Sequence, residues 1–114
     1  MALKKLEIII RSSKLDEVKN EVSNLGIRGM TVSEVVGFGR QKGHYKIYRG
    51  AEYAVSFIPK TKIEIVVDSD MVDIVVEKII KVSNTGNIGD GKIFISSIDN
   101  AIRIRTNEKG IDAI

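Results

Sequence analysis

A change of hydrophobic period that occurs twice in the same order constrains this chain most. Leu6, Ile8 and Ile10 alternate with Glu7 and Ile9, the two-residue period of a strand, over about residues 4–10. Leu15, Val18, Val22 and Leu25 then recur at spacings of three and four, so residues 14–25 read as an amphipathic helix. Ser13 with Asp16 makes a weak capping-box start, and Gly26 a stop. Met30 to Val36 is a β-branched run that predicts a second strand. The second half repeats the order. Ile63, Ile65 and Val67 share one face of a strand over 62–67. Val72, Val75, Val76, Ile79 and Ile80 restore the helical period over about 70–82, with Ser69 as N-cap. The turn-rich SNTGNIGDG ends that helix, Lys92 to Ile98 forms a fourth strand, and Ala101 to Arg105 is expected to add a short fifth.

Two βαβ units joined end to end describe an α+β, ferredoxin-like fold: an antiparallel four-stranded sheet with two helices on one face. The 114 residues, 43% of them hydrophobic, suffice for one domain and not for two, so residues 1–114 are expected to host both fold and site. The second sheet face is left bare in such a fold. It is expected here to collect apolar side chains too, because the strands offer few charges on either side. A bare apolar face of that size predicts a homo-oligomer closed around its sheets, with clefts between subunits.

Composition removes several function classes. The chain has no cysteine, which excludes a disulfide framework and thiolate metal sites and fits a cytoplasmic location. No apolar run approaches the roughly 18–20 residues of a membrane span, and MALKKLEIII lacks the features of a secretory signal. A net charge of +3 is too slight to argue for nucleic acid by itself.

Gly37 to Lys60, GFGRQKGHYKIYRGAEYAVSFIPK, joins the two halves and is longer than most connections in a compact domain. Arg40, Lys42, Lys46, Arg49 and Lys60 stand in it against Glu52 alone, with Tyr45, Tyr48 and Tyr53 between them. Basic residues among aromatics suit nucleic acid or a protein-docking finger. His44, without carboxylate or thiol partners nearby in sequence, is given no catalytic role.

Thr85 to Lys92, TGNIGDGK, has the P-loop spacing from Gly86 through Gly91 to Lys92, but Ile93 stands where Ser or Thr would hold Mg²⁺, and a strand follows instead of a helix. The chain is therefore no Walker NTPase. Glycines still let backbone amides converge on an anion, and Lys92 adds a positive charge. Arg103 and Arg105, placed on one side by a strand period, would add planar donors for phosphate oxygens.

VVGFGRQKGH, YRGAEY, TGNIGDGKIF and RIRT, in that order and spacing, resemble the nitrogen-regulatory PII signal-transduction proteins, and the similarity runs from the first strand to the tail. The resemblance implies a ferredoxin-like homotrimer with nucleotide sites in the clefts between subunits. It implies that ATP and ADP compete there and that 2-oxoglutarate joins when Mg-ATP is bound. It implies that Gly89, Asp90, Gly91 and Lys92 of a phosphate loop at about 84–92 wrap the phosphates with Arg103 and Arg105 of a C-terminal segment, 103–114. Thr31, Gly37, Phe38, Gly39, Arg40, Gln41, Glu64 and Thr85 would complete the nucleotide cleft. Gln41 would ligate Mg²⁺. Lys60 would pair with a carboxylate of 2-oxoglutarate, with Gly39, Gln41, Lys42, Gly43 and Gly89 around it.

The partner-binding loop would span about 39–57, with Tyr53 at a position uridylylated in many bacterial members and Arg49 where an arginine enters an ammonium channel. The expected function is a non-enzymatic nitrogen and energy sensor controlling an ammonium transporter or nitrogen-metabolism enzymes and regulators, reaching a membrane only through such a channel. Ser13 stands where the family usually has phenylalanine, so a second reading is an ATP/ADP sensor without a 2-oxoglutarate response. A small RNA-binding module shares the topology but expects aromatics on its middle strands, where only Phe94 is found. A weak nucleotide hydrolase would need a metal-holding hydroxyl and a water-activating group that the sequence does not display.

Overall fold

In the computed structural model, which describes residues 2–38, 45–48, 51–54 and 57–114, both βαβ units form. The strands are β1 (Leu3–Ile10), β2 (Thr31–Phe38), β3 (Tyr45–Tyr48), β4 (Ala51–Ala54), β5 (Phe57–Asp68) and β6 (Gly91–Ile98); the helices are α1 (Leu15–Asn24) and α2 (Val72–Ser83). Four strands make one antiparallel sheet in the order β2-β5-β1-β6, and β3 pairs with β4 separately. This is the ferredoxin-like arrangement read from the repeat.

Register explains the core. Leu6, Ile8 and Ile10 of β1 lie opposite Ile65, Ile63 and Thr61 of β5, so one face of the two central strands carries a continuous apolar row. Val18 and Val22 of α1 and Val75 and Ile79 of α2 close over it, all buried. Burying a side chain of this size stabilises by about 1.5–3 kcal/mol, and these residues hold both helices to the sheet.

The other face differs from the expectation. Lys5 and Glu7 of β1 lie beside Lys62 and Glu64 of β5, and they pair with one another: Lys5 to Glu64 at 2.6 Å, Lys62 to Glu7 at 3.1 Å and Lys62 to Glu64 at 3.6 Å. The open face is charged and self-neutralised at its centre. Apolar side chains such as Ile9, Val66 and the half-exposed Phe94 surround that centre. The alternation within Lys5-Leu6-Glu7 and Lys62-Ile63-Glu64 assigns every charge of these segments to this one face.

Local differences have local causes. Each helix is preceded by a 3-10 turn, Ser12–Lys14 or Ser69–Met71, and α1 receives no side-chain cap from Ser13. At the second turn the cap is Asp68, whose carboxylate accepts the Asp70 amide at 3.2 Å, not Ser69. Gly26 does stop α1, at φ +85°. The fifth strand does not form. Ile102 and Lys109 make an isolated bridge, and the chain reverses between them through Asn107 at φ +62°.

Candidate functional site: a stitched phosphate loop and a separate cleft

β1, β5 and β6 bring the site together at one sheet end, where Ile10 lies opposite both Thr61 and Gly91. The loop between α2 and β6 is closed by Asp90. Its carboxylate accepts the Thr85 amide at 2.7 Å, the Gly86 amide at 3.0 Å and the Thr85 hydroxyl. These donors, the Thr85 hydroxyl foremost, hold the Asp90 carboxyl down at a pKa of about 2. Asn84 accepts the Gly86 amide at 2.8 Å and adds a second stitch. Among the described residues the amides of Ile88, Gly89 and Asp90 have no hydrogen-bond partner. A carboxylate satisfied within the loop, beside consecutive unpartnered amides, is the arrangement of an anion nest.

Gly91 is glycine for a packing reason as well. It sits at φ +112°, and a Cβ there would lie 1.8 Å from the carbonyl oxygen of Ile9. Gly89, at φ +102°, also needs the left-handed region.

Lys60 lies beneath the loop. It is buried, with its ammonium donating to the Gly89 carbonyl at 2.6 Å. Burial lowers its pKa, the nearby Arg11 charge adds to this, and Asp90 opposes both. Gly37, one strand over, leaves space for the Lys60 stem, since a Cβ there would meet the Lys60 Cγ at 3.3 Å. Arg11 is a loop residue that the sequence did not expose. Its guanidinium donates to the Ile88 carbonyl at 2.9 Å and reaches Asp90 at 3.4 Å. Its partners lie 77 and 79 residues along the chain, so only the β1-β6 pairing reveals it.

Thr31, Glu64 and Arg103 form a second group. They line a cleft of about 990 Å³ between the 25–30 connector and the C-terminal segment, together with Met30, Val66 and Ile98. Glu64 is held below the usual carboxylate range, chiefly by the hydrogen bond from Lys5. Arg103 turns back on its own segment, donating to Glu108 at 3.0 Å, and Arg105 is exposed. The strand alternation expected to align the two arginines is absent.

The two groups do not meet within one chain. Lys92 stands near the start of β6 and Ile98 at its end; six residues at about 3.4 Å each separate them by roughly 20 Å. Arg103 shares its cleft with Ile98 and with no residue of the loop. Gly39, Arg40, Gln41, Lys42, Gly43 and Arg49 lie outside the described residues. Phe38 and Tyr53 are placed by backbone in β2 and β4.

The family profile described as "Nitrogen regulatory protein P-II" matches residues 3–108. The chain is 57% identical to the nitrogen regulatory protein P-II of Bradyrhizobium diazoefficiens and 62% identical to that of Synechocystis, in each case over 98% of this chain and all of the relative. The solved structure of Bacillus subtilis GlnK superposes with a TM-score of 0.83 at 40% identity, covering both chains fully. A double βαβ sheet bearing a carboxylate-stitched glycine loop, matched over nearly its whole length by these relatives, belongs to the nitrogen regulatory protein P-II family.

Proposed function

We propose that the chain is a non-enzymatic, cytoplasmic nitrogen and energy sensor, a homotrimer that binds ATP or ADP in the clefts between subunits. The observation that carries this is the loop at 84–92: its acidic side chain is consumed internally, while consecutive amides and the exposed Lys92 remain for phosphate. The split between this loop and the Arg103 cleft supports a composite site. Gly89, Gly91 and Lys92 of one subunit would meet Thr31, Glu64, Arg103 and Arg105 of another, with Gly37, Phe38, Gly39 and Arg40 lining the cleft. Asp90 and Thr85 act by shaping the loop.

Mg²⁺ would be held by Gln41 and the phosphates, where it would supply the charge that a 2-oxo acid chelates. The ammonium of Lys60 already rests against Gly89, so a carboxylate of 2-oxoglutarate would give this desolvated cation a better partner than a carbonyl. Gly39, Gln41, Lys42 and Gly43 would complete that pocket. Gln41 lies near the start of the loop at about 39–57 and Lys60 just past its end, so occupancy there would bias the loop conformation offered to an ammonium channel or a nitrogen-metabolism enzyme. Arg49 would contact such a partner, and Tyr53 would be the modification site.

Calorimetry tests this order. Mg-ATP should bind the protein alone, and 2-oxoglutarate should bind the Mg-ATP complex but not nucleotide-free protein. Binding of ATP without any 2-oxoglutarate response would favour the sensor of ATP against ADP. Binding of neither would refute the proposal.

A further inference from the structure

Two ammonium groups compete for the carboxylate of Glu64, and only one of them shares the wall of the 990 Å³ cleft with it. Lys5 lines the cleft and reaches one carboxylate oxygen at 2.6 Å. Lys62 is not among the described residues of that wall, and it approaches the other oxygen at 3.6 Å, beyond hydrogen-bond distance.

Register sets the two pulls in opposite directions. Lys62 precedes Glu64 by two positions on β5, while Lys5 of β1 lies opposite Val66, two positions after it, on the side where Val66 and Ile98 continue the cleft. Lys62 is itself drawn away by Glu7, at 3.1 Å. The Lys5 hydrogen bond is the chief cause of the lowered Glu64 pKa, so the side chain faces the cleft as an ionised group that accepts and does not donate. A carboxylate presents about four lone-pair sites, and two ammonium partners leave room for a further donor.

We propose that Lys5 is a positioning residue for nucleotide recognition: its ammonium holds the Glu64 carboxylate toward the cleft, against the pull of Lys62, so that a remaining lone pair accepts a hydrogen bond from an N–H or O–H of the nucleoside. The inference rests on the nucleotide reading given above and adds a side chain that sets how the cleft grips the nucleoside end. A nucleoside of adenine has two such sources, the ribose hydroxyls and the 6-amino group.

Calorimetry with ATP, with 2′,3′-dideoxy-ATP and with purine riboside triphosphate, which lacks the 6-amino group, tests both the role and the donor. Lys5→Met should weaken ATP binding by about tenfold, since Glu64 then turns to Lys62 and the bond to the nucleoside is lost. Lys5→Arg should keep most of the affinity, and Lys62→Met should leave it unchanged. The double variant Lys5→Met with Lys62→Met should recover part of the loss, because nothing then draws Glu64 from the cleft. One analogue should bind the unaltered protein more weakly than ATP and be no weaker with Lys5→Met, which identifies the donor. Unchanged ATP affinity in Lys5→Met overturns the proposal, as does a double variant weaker than the single one. An equal loss for all three nucleotides also overturns it, since Lys5 would then act only as a charge on the phosphates. Failure of the unaltered protein to bind ATP overturns the nucleotide reading itself.

Discussion

Asp90 carries a negative charge into a loop proposed to bind phosphates, and its bonds resolve the contradiction: it holds the loop amides of Thr85 and Gly86 instead of facing the ligand. Because the folded pKa lies near 2, below the ordinary 3.8, the ionised form stabilises the loop above pH 4. That contribution is lost as pH falls through the folded value. The Thr85 and Gly86 amide resonances should therefore titrate with a midpoint near pH 2; a midpoint near 3.8 would mean that the stitch is not made. Gly91 makes a steric prediction. Gly91→Ala should cost roughly 3 kcal/mol or more by denaturant unfolding, since both its φ and the Ile9 carbonyl oppose a Cβ. Gly29→Ala, with nothing within 4 Å, should stay within about 0.5 kcal/mol. The turn before β6 was legible because its glycines mark left-handed backbone, which Gly86, Gly89 and Gly91 adopt. Arg11 was not, because its role depends on a partner across the sheet.

Elements were legible wherever a period ran for several residues. Both helices, β1, β2 and β6 fall within a few residues of their expected bounds, and in the helices and β1 a buried face dictates the pattern. β5 begins earlier than expected, at Phe57, since Ile58 and Pro59 break the simple alternation yet pair with Gly37 and Val36. The fifth strand failed for lack of a partner: its alternating residues reverse into a turn, and only one bridge forms. Arg11, at the C-terminal end of β1, ties that strand to the loop ahead of β6 through two different acceptors. Arginine reaches them from two separate nitrogens of one planar fork, a geometry that lysine's compact ammonium does not reproduce. Arg11→Lys should weaken Mg-ATP binding by about three- to tenfold while shifting stability by less than about 1 kcal/mol. Equal affinity in calorimetry would show that the tie does not govern the loop.

At the scale of the whole molecule, the residues proposed to bind phosphate are divided between two ends of one sheet. Sequence could not show this, because Lys92 and Arg103 are close in number and are carried apart by the length of β6. The charged ladder of Lys5, Glu7, Lys62 and Glu64 likewise changes why an assembly would form: the centre of the open face has its charges paired, so specific contacts around the clefts must do more than bulk apolar burial. A ring of subunits joined head to tail would bring the loop of each to the Arg103 segment of the next.

Mixing two inactive variants tests this directly. Lys92→Ala and Arg103→Ala should each bind Mg-ATP poorly, and co-refolding them in equal amounts should restore full-affinity binding at about one quarter of the clefts, where an intact loop faces an intact arginine segment. Restoration at that level would establish a site made by two chains. No restoration, in assemblies shown to be mixed, would contradict it and place the nucleotide within a single subunit.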